Sequence, residues 1–147
     1  MSESPACSEP TRRGVVGVFY CGDRFLVIRR SQQVRAPGAY CFPGGGVEVG
    51  ETETIALTRE MDEELSASIQ ILQRIWQCET PSGTQLGWWQ VNLQPKSPLI
   101  PNPAEVESVH WLTPEQVLYL PGLLPTNRHF LEAVASQQVR LHAVPTG

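Results

Sequence analysis

The sequence predicts an α/β fold, a mixed β-sheet between helical layers, and three observations point to it. β-rich runs occur in both halves of the chain, one amphipathic stretch with helical spacing lies between them, and two shorter helical stretches follow near the end. At 147 residues the chain has the length of one compact domain. Hydrophobic residues make up 41% and charged residues 18%, an ordinary globular balance rather than a disordered one.

Residues 1–13 are polar, Pro-containing and aperiodic, and read as a flexible leader to a domain spanning residues 14–147. Residues 15–20 and 25–28 are β-rich runs around Cys21-Gly22-Asp23-Arg24, a hairpin signal, and their nearly continuous apolar character predicts burial on both faces. A polar connection then leads through Tyr40-Cys41-Phe42 to Pro43-Gly44-Gly45-Gly46, a strong punctuation of the chain. Gly50-Glu51-Thr52 signals a helix start. Beyond it Leu57, Met61 and Leu65 recur every fourth residue and form an apolar stripe, with Thr54 and Thr58 beside it.

Residues 69–80, 86–93 and 106–112 read as three further strands, separated by Pro81-Ser82-Gly83 and by the Pro-rich stretch from Pro95 to Pro103. Thr113-Pro114-Glu115 opens a short helix, and a second covers about residues 126–136, with Phe130, Leu131 and Val134 spaced for one face.

The formal net charge of −4 gives no general attraction to a nucleic-acid polymer or an anionic membrane. No apolar run approaches the ~18–20 residues of a membrane span. The four cysteines form no CxxC pair, and no His cluster has zinc-ligand spacing. Together these predict a reduced, cytoplasmic protein, a monomer or homodimer, whose partner is a small molecule.

The central helix has a second face. Glu53, Glu60, Glu63 and Glu64 crowd about 100° of its surface, and like charges four residues apart repel. A solvated acidic face is one reading. The other is a site for a hard cation, since carboxylate oxygens suit Mg²⁺ or Mn²⁺.

The preceding segment favours the second. From Gly45 the chain runs five residues to Glu51, seven more, then Arg59-Glu60-Met61-Asp62-Glu63-Glu64-Leu65-Ser66-Ala67. This resembles the Nudix box, G-x5-E-x7-R-E-U-x-E-E-x-G-U with U apolar, and the lead-in Phe42-Pro43-Gly44-Gly45 is similar to that of MutT-like members. Two positions depart from it: Ser66 replaces the usual Gly, and Ala67 is smaller than the usual residue. A Gly at 66 would end the helix in a left-handed conformation at no cost, so the substitution puts the helix end in doubt.

The resemblance implies a Nudix-type α/β/α sandwich in which Glu60, Glu63 and Glu64 are catalytic and hold Mg²⁺ or Mn²⁺, the Gly44 carbonyl is a further ligand, and Glu60 is the nominated base. Gly45, Glu51 and Arg59 are structural in the motif, the last two as an ion pair. Outside the box, Arg30 is placed as a phosphate contact, Glu105 as a distal metal ligand with Glu107 as its competitor, and Phe42 as a substrate contact. Tyr40, Trp88 and Trp89 could join Phe42 in a stacking wall or lie in the core. Pro125-Thr126-Asn127 is similar to the segment with which MutT reads a purine edge, since an Asn amide donates and accepts at once. A helix N-cap is the alternative for Asn127.

The implied activity is hydrolysis of a nucleoside diphosphate linked to another moiety, with a (d)NTP, including oxidised forms such as 8-oxo-dGTP, as the first substrate to consider. ADP-ribose or a dinucleoside polyphosphate is the alternative, and an inactive nucleotide-binding module is the alternative of another class.

Overall fold

The computed structural model describes residues 12–142, so the expected leader lies outside the described residues except for Arg12 and Arg13. Those two are already tied to the sheet: β1 begins at Arg13, and Gln85 donates its amide to the Arg12 carbonyl at 2.9 Å. The folded chain therefore begins ahead of the Gly14 boundary.

β1 (Arg13–Cys21) and β2 (Arg24–Arg30) form a hairpin whose turn is tighter than four residues, because Cys21 pairs directly with Arg24. Gly22, at φ 65°, takes the left-handed position that such a turn requires. β3 (Tyr40–Cys41) pairs with β2, and β4 (Gly44–Gly46) pairs antiparallel with β1. The glycine run is thus a strand as well as punctuation. Helix α1 (Glu53–Leu65) follows, then β5 (Ile69–Glu79), β6 (Gln85–Leu93), β7 (Val106–Leu112), α2 (Pro114–Leu118) and α3 (Pro125–Ala135).

The sheet is mixed because β1 runs parallel to β6 while its other partners are antiparallel. The order is β3-β2-β1-β6-β5, with β7 also paired to β2. β1 is the hub, and side chains that alternate along it feed two cores. Val15 and Phe19 join Leu57, Met61, Leu65 and Val91 beneath α1, and Val16 and Val18 join Phe25, Phe42, Trp88 and Phe130 beneath α2 and α3. Burying each large aliphatic side chain contributes about 1.5–3 kcal/mol.

α1 lies close to the sheet over Gly17, where a Cβ would come within 3.3 Å of Met61 Sδ. The helix starts at Thr52, whose side chain accepts from the Ile55 amide. It ends at Ser66, which adopts the left-handed conformation at φ 53° and donates its amide to the Asp62 carbonyl. The helix end is therefore not reshaped by the missing Gly. No helix among the described residues is long and apolar enough to cross a membrane.

Candidate active site

The box brings Arg59 and Glu51 into a two-pronged ion pair, Nε to Oε2 at 2.7 Å and Nη2 to Oε1 at 2.8 Å. Arg59 also donates to the Gly46 carbonyl, to Glu60 Oε2 at 2.9 Å and to Glu63 Oε1 at 3.3 Å. One guanidinium thus joins loop, strand and helix. This contact, led by the Arg59 hydrogen bonds, holds the Glu51 carboxyl down at about 2.

β4 explains its glycines by close approach. A Cβ on Gly45 would collide with the Glu60 carboxylate and one on Gly44 with the Val15 carbonyl. Glu60 therefore reaches its position only because Gly45 has no side chain. Gly17 donates to the Pro43 carbonyl and Val47 to the Arg13 carbonyl, so the alternation of an antiparallel ladder turns the peptide groups of Gly44 away from β1. There the Gly44 amide donates to Glu64 Oε1 at 3.2 Å. In an extended strand the carbonyl of a residue points to the same side as its amide, so the Gly44 oxygen also faces away from β1.

The carboxylates that converge are Glu60, Glu64 and Glu105, each offering an oxygen within 4.8 Å of the other two. Glu60 and Glu64 are buried. Burial first, then the charges of Glu60 and Glu105, pushes the Glu64 carboxyl up to about 8, against the opposing Gly44 amide and Arg30. Burial likewise raises Glu60, with Arg59 pulling the other way. Glu63 and Glu64 lie in the last turn of α1, at the negative end of the helix dipole, with no basic residue in that turn. Such a cluster fits a hard cation, which would reverse each of these penalties.

Other box carboxylates are elsewhere. Glu63 is exposed and held by Arg59, at the outer edge of the cluster. Glu53, on the acidic face by helical angle, turns away to Arg74 at 3.0 Å and to the Trp89 indole at 2.8 Å. Of the two distal candidates, Glu107 pairs with Arg29 at 3.1 Å and Glu105 joins the cluster.

A groove of about 320 Å³ is lined by Arg30, Gly44 and Gly45, the two glycines that touch the Glu64 and Glu60 carboxylates, and extends past Cys41, Phe42 and Trp88 to Asn127. Arg30 is braced by its Nε on the Arg35 carbonyl at 2.6 Å. Phe42 and Trp88 belong to the aromatic core: Trp88 stacks on Phe130 at 4.6 Å between ring centres, and Phe42 meets both edge-on. Their contribution to a stacking wall is therefore limited to whatever ring edge lines the groove. Tyr40 packs on His110, and Trp89 faces Glu53.

Asn127 is not an N-cap, because Leu124 holds that position and Pro125 opens α3. Its Oδ1 accepts the Phe42 amide at 2.8 Å, an assignment that chemistry forces since a backbone N–H needs an oxygen. The amide thus has its acceptor engaged, while its Nδ2 has one long contact, 3.4 Å to Thr126 Oγ1, and a second hydrogen to give. The sequence reading of a group that donates and accepts equally becomes that of an oriented donor.

The Pro-rich segment before β7, a separator by its sequence, also seals the end of α1. Ile100 donates to the Leu65 carbonyl at 2.7 Å, Asn102 to the Glu64 carbonyl at 2.8 Å, and Asn102 Nδ2 to the Glu63 carbonyl at 3.2 Å. The flanking Pro101 and Pro103 were the available signal, a rigid frame around one amide.

The comparisons agree with this architecture. A Mycobacterium tuberculosis protein named "Putative 8-oxo-dGTP diphosphatase 2" is 40% identical over 55 residues, 37% of this chain and 39% of that protein. The match thus spans well under half of the relative. The solution structure of the E. coli ORF135 protein superposes with a TM-score of 0.70 at 24% identity, over 92% of this chain and 96% of that one. A MutT NUDIX hydrolase from Burkholderia pseudomallei gives 0.68 at 23%, over 86% and 99%. At these identities the structures establish the fold. With the NUDIX domain model matching residues 10–134, most of the chain, this protein belongs to the NUDIX domain family.

Proposed function

We propose that the chain hydrolyses a phosphoric anhydride in a nucleoside diphosphate linked to a further group, using Mg²⁺ or Mn²⁺. The observation that carries this reading is the convergence of Glu60, Glu64 and Glu105, two of them buried, behind Gly44 and Gly45, which line a groove and touch the Glu64 and Glu60 carboxylates. Glu60, Glu64 and Glu105 would hold the cations, with Glu63 at the outer edge and the Gly44 carbonyl as a further oxygen. Cations bound there neutralise charge on the phosphate oxygens and make nearby water more acidic.

The protein's own groups do the rest. Glu60, held by Arg59, takes the proton of the attacking water. Arg30 faces the polyphosphate across the groove. Asn127, clamped by the Phe42 amide, presents Nδ2 to a base carbonyl, which favours a purine nucleoside triphosphate, with 8-oxo-dGTP the first to test. The name of the Mycobacterium tuberculosis relative supports the same direction over the part that matches.

A panel of dGTP, 8-oxo-dGTP, ADP-ribose and a dinucleoside polyphosphate, incubated with Mg²⁺ or Mn²⁺ and followed by product release, tests this. Turnover of at least one nucleoside triphosphate is expected, and Glu63→Gln should be much slower. Binding of nucleotide with no turnover of any would establish an inactive binding module instead. ADP-ribose as the preferred substrate would overturn the triphosphate assignment. For the base, Asn127→Ala should lower the preference for 8-oxo-dGTP over dGTP. An unchanged preference in folded protein removes Asn127 as the reader.

A further inference from the structure

Glu105 comes from outside the box, and the cluster needs its carboxylate pointed at α1 from another element. Its backbone is fixed from the β2 side. Ser31, itself buried, donates its amide to the Glu105 carbonyl at 3.0 Å and its hydroxyl to the Ala104 carbonyl at 2.9 Å. A register shift in the β2–β7 pairing at Arg29/Arg30 lies at the same place, a common device for re-aiming a strand end. These contacts fix the main chain and leave the side chain free to rotate.

The side chain is met by Asn102. Its Nδ2 lies 3.4 Å from Glu105 Oε2 and 3.2 Å from the Glu63 carbonyl, while its Oδ1 accepts the Ala104 amide at 3.1 Å. The two amide hydrogens of Asn102 thus have separate destinations, the end of α1 and the Glu105 carboxylate. Its backbone adds a tie from each side, donating to the Glu64 carbonyl at 2.8 Å and accepting from Glu105 N at 2.9 Å. One residue therefore touches the helix that carries Glu60 and Glu64 and the carboxylate that must meet them.

We propose that Asn102 is the positioning residue of the cation site, turning the Glu105 carboxylate toward Glu60 and Glu64 and fixing its distance from the end of α1. This rests on the cation site of the proposed function. Outer groups that orient a metal ligand typically change metal affinity 10–100-fold. The long 3.4 Å contact puts Asn102 at the low end, roughly tenfold.

The test is a double-mutant cycle read by Mn²⁺ binding, with free Mn²⁺ followed by electron paramagnetic resonance and no nucleotide present. Asn102→Ala removes every side-chain contact. Asn102→Ser keeps a short acceptor for the Ala104 amide but does not reach Glu105, and it serves if the alanine variant fails to fold. Each should weaken Mn²⁺ binding roughly tenfold in the wild-type background and have little effect in a Glu105→Gln background. An equal loss in both backgrounds would show a general loosening of the α1 end and overturn the proposal, as would affinity within about twofold of wild type in both variants. Wild-type protein that binds no Mn²⁺ overturns the cation reading itself, and this inference with it.

Discussion

The two faces of the sheet handle buried polar groups in opposite ways. On the α2/α3 face the deepest polar side chains are met by backbone groups: Gln90 exchanges two hydrogen bonds with the backbone of His142, at 2.9 and 2.8 Å, and the Asn127 oxygen accepts the Phe42 amide. On the α1 face Glu64 is just as deep, receives one amide hydrogen from Gly44, and faces two other carboxylates. A buried carboxylate short of partners is costly, and the rest of the fold is well able to supply partners. The imbalance therefore marks the place where a ligand completes the structure. Glu64→Gln tests the difference most strongly. It keeps an acceptor for the Gly44 amide while removing the charge, so turnover should drop about a thousandfold, several kcal/mol of barrier, with the melting temperature equal or higher. A large loss of stability would mean that the carboxylate is structural and that the two faces do not differ.

The opposite outcome is expected across the sheet. Phe130 stacks on Trp88 and meets Phe25 and Phe42, so Phe130→Ala should lower stability by about 3–5 kcal/mol in denaturant melts. Below the melting transition the carboxylate cluster is untouched, and Mn²⁺ affinity should remain near wild type. Loss of Mn²⁺ binding in folded Phe130→Ala protein would show that the two layers are coupled.

The same contrast has a pH signature. Glu64, at about 8 in the fold against 4.5 for the free group, keeps a proton that the unfolded chain releases. Its effect is therefore nil below the unfolded value, destabilising with rising pH between about 4.5 and 8, and level above that. Glu51 acts in the reverse sense: its carboxyl is lowered to about 2, so its contribution is present above 4.5 and lost as pH falls through 2. Metal-free protein should thus lose stability between pH 5 and 8, by a few kcal/mol at most since each unit is about 1.4 kcal/mol. Saturating Mg²⁺, which binds the ionised form, should abolish the decline. A melting temperature that is flat over this range without metal contradicts the assigned burial of Glu64.

Much of this was readable because it depends on local spacing. The stripe of Leu57, Met61 and Leu65, the apolar runs of β1 and β2, and the charged register from Glu51 to Glu64 follow from helix and strand periods that sequence shows directly. What was not readable depends on elements meeting in space. Helical angle places Glu53 with the other glutamates, but Arg74 and Trp89, on β5 and β6, draw it off. Gly44–Gly46 looks like a turn because nothing in three glycines says that β1 and the Glu60 carboxylate press on either side. The Pro95 to Pro103 stretch looks like a separator because its bonds are to the end of α1, 35 to 39 residues earlier. Asn127 is ambiguous in sequence since both a cap and a reader favour Asn, and the contact that changes the question, with Phe42, spans 85 residues.

The smallest expected effect concerns the one motif position whose chemistry disagrees with its conformation. Ser66 occupies the left-handed region at φ 53° and ψ 28°, where a residue with a Cβ pays about 1 kcal/mol that Gly does not. The helix keeps this ending because the amides of Ser66 and Ala67 close on the Asp62 and Met61 carbonyls, and because Ala67 is buried beneath α1 with Leu65. Gly in the unfolded chain is more flexible, which offsets part of the gain. Ser66→Gly should therefore stabilise the protein by about 0.5–1 kcal/mol in denaturant melts. It should leave Mn²⁺ affinity unchanged, since Glu60 and Glu64 are held by Gly45, Arg59 and the Gly44 amide rather than by the helix end. A variant that is more stable but binds Mn²⁺ differently would show that the strained ending helps aim the carboxylates, and that the α1 face stores strain at its C-terminus as well as charge.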